Sequence, residues 1–223
     1  MKSLGMRRLT NFPVDIALGP EGRMYILNRQ EGAVVVRKYT VDDEDLGNFG
    51  TVGDAEGELQ WAVSIISDSE ENVYISDEAN DRISAFDKDG EFLSCFGESG
   101  SGEGQLNRPA GLVFDADDNI RVVDSMNHRV QKFTKDGKFL SRFGSHGAGD
   151  GEFDSPWGIT VDELGDIYVA DWRNDRVQKF TANGEFIMKF GKSGSANGEF
   201  NRPTDVAVDL DGDIYVCDRG NNR

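Results

Sequence analysis

The sequence predicts an all-β fold of repeated four-stranded antiparallel sheets, and three observations carry that prediction. The first is a constant internal step. The stretch "RPAGLVFDADDNIRVVDSMNHRVQKFTKDGKFLSRFG" (108–144) registers without a gap on "SPWGITVDELGDIYVADWRNDRVQKFTANGEFIMKFG" (155–191), at an offset of 47. The same step carries Asp68 to Asp115, Asp162 and Asp209, and Gly57 to Gly104, Gly151 and Gly198. The second is four short apolar runs per unit, "GITVD", "DIYVAD", "RVQKF" and "EFIMKF" in the clearest copy. Their length, alternation and β-branched or aromatic content are those of strands, and no helical period competes. The third is turn chemistry: "ELG" joins the first two runs and "TANG" the last two, each with a glycine able to take positive φ.

Four antiparallel strands in each repeat of 40 to 50 residues describe the blade of a β-propeller. Helix-pair solenoids lack this pattern, and a sandwich would not repeat at a constant step. The blades are expected near 13–50, 62–97, 109–144 and 156–191, with part of a fifth at 203–223, all within a single domain over 1–223. The opening unit, "FPVDIALGPEGRMYILNRQEGAVVVRKYT", is a diverged copy followed by a linker about two residues longer. Gly/Ser/Asn-rich loops such as "GKSGSANGEFNRP" join the units. The repeating aromatics Phe96, Phe143 and Phe190 are expected in the core.

Composition bounds the function. With 41 acidic against 24 basic residues the formal charge is −17, and no basic run stands out. A field of that sign repels phosphate backbones, so nucleic acid is not the expected partner. Cys95 and Cys217 are far apart, fit no metal-spaced group, and read as buried inert thiols. The first residues have no apolar stretch of signal-peptide length and nothing in the chain reads as a membrane span, which points to a cytoplasmic, soluble protein.

The pattern Asp-x-x-Asn-x-Arg recurs between the second and third strands. It comprises Asp77, Asn80 and Arg82; Asp124, Asn127 and Arg129; Asp171, Asn174 and Arg176; and Asp218, Asn221 and Arg223. Asp and Asn side chains fix turn backbone groups, and an Arg at the start of the third strand can pair with an Asp of its own or the adjacent blade. A group that recurs in every unit is needed by every unit, so the structural reading is favoured over a repeated ligand site.

At these residues the units resemble NHL repeats: the Pro before the first strand, "IYVAD", "NDRVQKF", the Gly turn and the closing "FG" match that family's pattern. The resemblance covers essentially Phe12 to Arg223. It implies a propeller, usually six-bladed, whose second-to-third-strand loops and inter-blade loops share one face on which such proteins commonly bind partners. Six units of 47 need about 280 residues against the 223 present, so four blades and half a fifth read as a truncated ring, with self-association as the alternative route to closure. Some relatives are zinc-dependent amidating lyases with interior calcium, for which this sequence has too few histidines. Others join the propeller to RING and B-box domains in ubiquitin ligases, or to bacterial kinases, and no such motifs are present here. Some bind RNA through basic faces, against which the acidic balance argues.

Function is expected where units deviate from the pattern. The nonrepeating residues on the expected binding face are Arg108, Met126, His128, Trp157, Trp172, Arg173 and Arg202, together with Trp61 and Ser155. Trp, Met and Arg are the types that anchor partners, and two arginines in an acidic background suit a carboxylate-bearing one. Catalytic residues are not identifiable and no metal site is expected. "DLDGD" (209–213) fills a hairpin slot rather than an EF-hand, and His128 and His146 lack a third ligand for zinc. The expected function is a noncatalytic module that binds a protein, peptide or small polar ligand without a cofactor. A metal-dependent lyase-like enzyme fragment, or the substrate-binding propeller of a ubiquitin ligase or kinase, is the alternative.

Overall fold

The computed structural model describes residues 12–30 and 33–223. It divides into two compact units, residues 1–99 and 100–223, each taken by itself below.

The first unit holds two four-stranded antiparallel sheets. One orders β1 (Pro13–Leu18), β2 (Arg23–Gln30), β3 (Ala33–Thr40) and β4 (Asp45–Phe49). After it, β5 (Thr51–Val52) and β6 (Glu58–Leu59) make a short parallel pair. The other sheet comprises β7 (Ala62–Ser67), β8 (Val73–Asp77), β9 (Arg82–Phe86) and β10 (Phe92–Phe96), again paired in chain order. Inward residues of both sheets, among them Tyr25, Leu27, Val36, Ile65, Ile75 and Phe86, make one buried cluster. Each alternates along its strand with residues of the opposite face, as period two requires.

The second unit repeats the plan. Its sheets are β11 (Pro109–Phe114) to β14 (Phe139–Phe143), through β12 (Ile120–Asp124) and β13 (Arg129–Phe133), and β15 (Ile159–Val161) to β18 (Phe186–Phe190), through β16 (Ile167–Asp171) and β17 (Arg176–Phe180). A two-stranded sheet follows, β19 (Pro203–Val208) with β20 (Ile214–Asp218). The 47-residue step survives in the pairing: Asp124 faces Arg129 in one sheet as Asp171 faces Arg176 in the next. Fold class and blade pattern are as the sequence predicts.

Two local features carry the geometry. Gly184 closes the "TANG" hairpin at φ 83°, a left-handed conformation only glycine takes freely. Gly158 lies where the first strands crowd: an added Cβ would sit 2.6 Å from Asp205 Cα and 2.7 Å from the Thr204 carbonyl oxygen.

Three expectations need correction or refinement. Phe143 and Phe190 are half-buried and pack onto clusters rather than being enclosed in them, and Phe96 is half-buried as well. Cys217 is exposed and Cys95 half-buried, not both buried, because Cys217 sits on the two-stranded sheet and Cys95 on β10 at its sheet's edge. The second-to-third-strand loops also contain single 3-10 turns, Ser125–Asn127, Trp172–Asn174 and Arg219–Asn221.

Candidate functional site

The recurring loop is a cross-link. Asp171 is fully buried and accepts hydrogen bonds from the Asp154 N–H (2.8 Å), Asn174 Nδ2 (2.9 Å), Arg176 Nε (2.7 Å) and Gln178 Nε2 (3.2 Å). Asn174 also donates to the Gly147 carbonyl, and the Arg176 fork donates to the carbonyls of Ala148, Gly149 and Glu152. One strand-connecting turn is thereby tied to the inter-blade loop that precedes it. Asp124, Asn127 and Arg129 repeat the arrangement on Gly100, Ser101, Gly102 and Gln105. Asp218, Asn221 and Arg223 repeat it on Gly194, Ser195, Ala196 and Glu199. In the first unit Asn80 and Arg82 bind the loop carbonyls of Gly53, Asp54, Ala55 and Glu58, but Arg82 Nε finds no partner and Asp77 instead accepts the N–H groups of Gln60, Trp61, Ala79 and Asn80. Burial pushes the carboxyls of Asp124 and Asp171 above the usual range against these bonds.

The residue before each Arg is left-handed: Asp81, His128, Asp175 and Asn222 at φ 50° to 55°. Its side chain has a job that the sequence alone did not reveal. Asp175 Oδ1 accepts the Arg202 N–H (2.7 Å), and at the equivalent place in the preceding repeat His128 Nδ1 accepts the buried Ser155 N–H (3.0 Å). His128 thus stands in for a carboxylate. Burial, the nearby His146 and the charge of Arg173 push its pKa below the ordinary imidazole value, against the pull of Asp154.

Four of the sequence-predicted site residues come together around one indole. The Trp157 and Trp172 ring centroids lie 6.3 Å apart, and the guanidiniums of Arg173 and Arg202 sit 5.4 and 5.3 Å from the Trp172 ring centre. These are cation–π distances. Both arginines are exposed, both tryptophans half-buried, and Trp157 also packs on the apolar cluster beneath. Trp172 Nε1 is shielded from solvent and makes no hydrogen bond. Arg108 and Met126 are exposed as well, and the Met126 N–H donates to the Asn107 carbonyl at 3.1 Å.

His128 borders the cluster and gathers a second group. Its ring centroid lies 4.3 Å from that of His146, and its Nδ1 is 3.9 Å from Asp154 Oδ1. The ligand-capable atoms of these three residues fall within 4.8 Å of one another, so Asp154 is the third neighbour that spacing along the chain did not show. The set fits a metal poorly. A ligating histidine donates its second ring N–H outward, whereas His128 Nδ1 is already an acceptor for Ser155.

An NHL repeat family model matches residues 153–180 and 200–223, and a 6-bladed beta-propeller model matches 108–166. Both matches support an NHL-repeat β-propeller over those stretches. No curated protein matches it. Among solved structures, a streptogramin B lyase aligns at TM-score 0.70 and 14% identity, over 96% of this chain and 64% of that one. Virginiamycin B lyase from Staphylococcus aureus aligns at 0.61 and 15%, over 96% and 80%. A gluconolactonase from Xanthomonas campestris aligns at 0.64 and 15%, over 90% and 67%. At such identities the likeness is one of fold, and this chain spans less than two thirds of the streptogramin B lyase. No described helix is long and apolar enough to cross a membrane.

Proposed function

We propose that this chain is a noncatalytic binding module whose loop face receives a protein or peptide partner, without metal or other cofactor and without nucleic acid. The convergence of Arg173 and Arg202 on Trp172 supports this most directly. Neither guanidinium makes an ion pair or a side-chain hydrogen bond among the described residues, although the chain carries 41 carboxylates. Large rings and arginines in that setting are the residues that anchor partners.

The test starts from peptides selected out of a random displayed library on the immobilised chain, with affinities measured by calorimetry. Trp172→Ala is expected to weaken binding by about 2 kcal/mol at an unchanged thermal midpoint, and a chelator to change nothing. Selected peptides that bind wild type, Trp172→Ala and Arg173→Ala equally would refute the loop face as the site.

One observation favours a metal-dependent, lyase-like reading: the grouping of His128, His146 and Asp154. Stoichiometric zinc in the purified protein, lost on His146→Ala, would establish that reading over ours.

A further inference from the structure

We infer that Trp172, Arg173 and Arg202 form a carboxylate subsite, and that the partner they recognise is an acidic peptide. This deepens the reading of the loop face as a binding surface and rests on it.

The nearby carboxylates do not serve these arginines. Asp171 is buried and committed to Arg176, Asn174, Gln178 and a backbone N–H. Asp175 spends Oδ1 on the backbone N–H of Arg202. Asp154 Oδ1 accepts the Ser155 hydroxyl at 3.1 Å and lies 3.9 Å from the His128 ring. Two guanidinium forks are therefore held over one ring with their N–H donors unspent, and the positive charge of Arg173 is felt at His128. Guanidinium geometry matches a carboxylate bidentately.

The first unit supplies an internal control. There Arg29 lies 4.2 Å over the Trp61 ring, an Arg–Trp stack at the equivalent repeat positions with the two residue types exchanged. That arginine is half-buried, and its Nη1 donates to the Ala62 carbonyl at 2.8 Å. Arg29 is consumed in holding its own fold, whereas Arg173 and Arg202 are exposed and their guanidiniums donate no hydrogen bond among the described residues. The indole N–H of Trp172, on the ring beneath both guanidiniums, is shielded and makes no hydrogen bond, and unsatisfied shielded groups in a folded chain call for an explanation. An incoming carboxylate, to which the exposed arginine heads can swing, supplies one.

The experiment follows the Trp172 indole resonance of the whole chain by two-dimensional NMR, assigned with Trp172→Phe. Three capped probes are titrated: a hexapeptide alternating Glu and Gly, the same peptide with Gln for Glu, and an acetylated Gly tripeptide with a free C-terminal carboxylate. The Glu peptide is expected to move the Trp172 resonance and to bind at least tenfold tighter than the Gln peptide, about 1.4 kcal/mol. Arg173→Lys should weaken it severalfold, because an ammonium lacks the fork. Movement by the Gly tripeptide as well would assign the carboxylate source to a chain terminus rather than to acidic side chains and would overturn the acidic-peptide part. Equal binding of Glu and Gln peptides overturns the carboxylate subsite while leaving the loop face as a binding surface. So does an unmoved Trp172 resonance at millimolar probe, or Glu binding undiminished in Arg173→Ala/Arg202→Ala. Failure of the broader reading is separate, since it requires that library-selected peptides of any composition ignore Trp172.

Discussion

Replacing Asp171 by Ala tests the physical account of the repeat. The carboxylate removed is fully buried and accepts four hydrogen bonds, one of them from Arg176 Nε in an ion pair at 2.7 Å. Breaking a buried pair from one side costs about 3–5 kcal/mol, because the surviving charge stays buried without its counterion. Arg176 keeps its bonds to the carbonyls of Ala148, Gly149 and Glu152. These hold the guanidinium in place without neutralising it, so the loss should fall within that range rather than below it. Urea denaturation followed by far-UV circular dichroism measures it. Asp171→Ala/Arg176→Met should recover part of the loss, since no stranded cation remains, and the cycle should give a coupling above about 1 kcal/mol. A single-variant loss under about 1 kcal/mol, or strictly additive effects, would refute the cross-link as the reason for the motif.

Other outcomes follow from neighbouring contacts. His128→Ala removes the acceptor of a buried N–H and should cost about 1–3 kcal/mol, whereas His128→Asn keeps an acceptor on a residue that tolerates φ 55° and should cost less. Because the folded state holds the His128 pKa below its unfolded value, its contribution is present above about pH 6.5 and is lost as pH falls towards the folded value. Thermal midpoints across that window should fall with acid in wild type and less so in His128→Asn; identical profiles would sink the assignment. Gly158→Ala drives a methyl into Asp205 and Thr204 and should cost about 1–3 kcal/mol by thermal melts, and an unchanged midpoint would show that the first strands yield.

The sequence by itself determined the blades. A period of 47, alternating runs and hairpin glycines are local signals, and local signals fix strand, turn and repeat without knowledge of what packs where. It also marked the deviating residues, since Trp157, Trp172, Arg173 and Arg202 stand out against units that otherwise agree. Tertiary structure decided which of them meet. Arg202 reaches Trp172 from the loop of the following repeat. The same holds for His128: alone in its repeat it looks like a ligand candidate, yet folding sets it in the slot that Asp175 fills one repeat later and turns its Nδ1 to the Ser155 N–H. Contacts between residues 27 positions apart arise from how loops of successive repeats stack, and no local pattern encodes that distance.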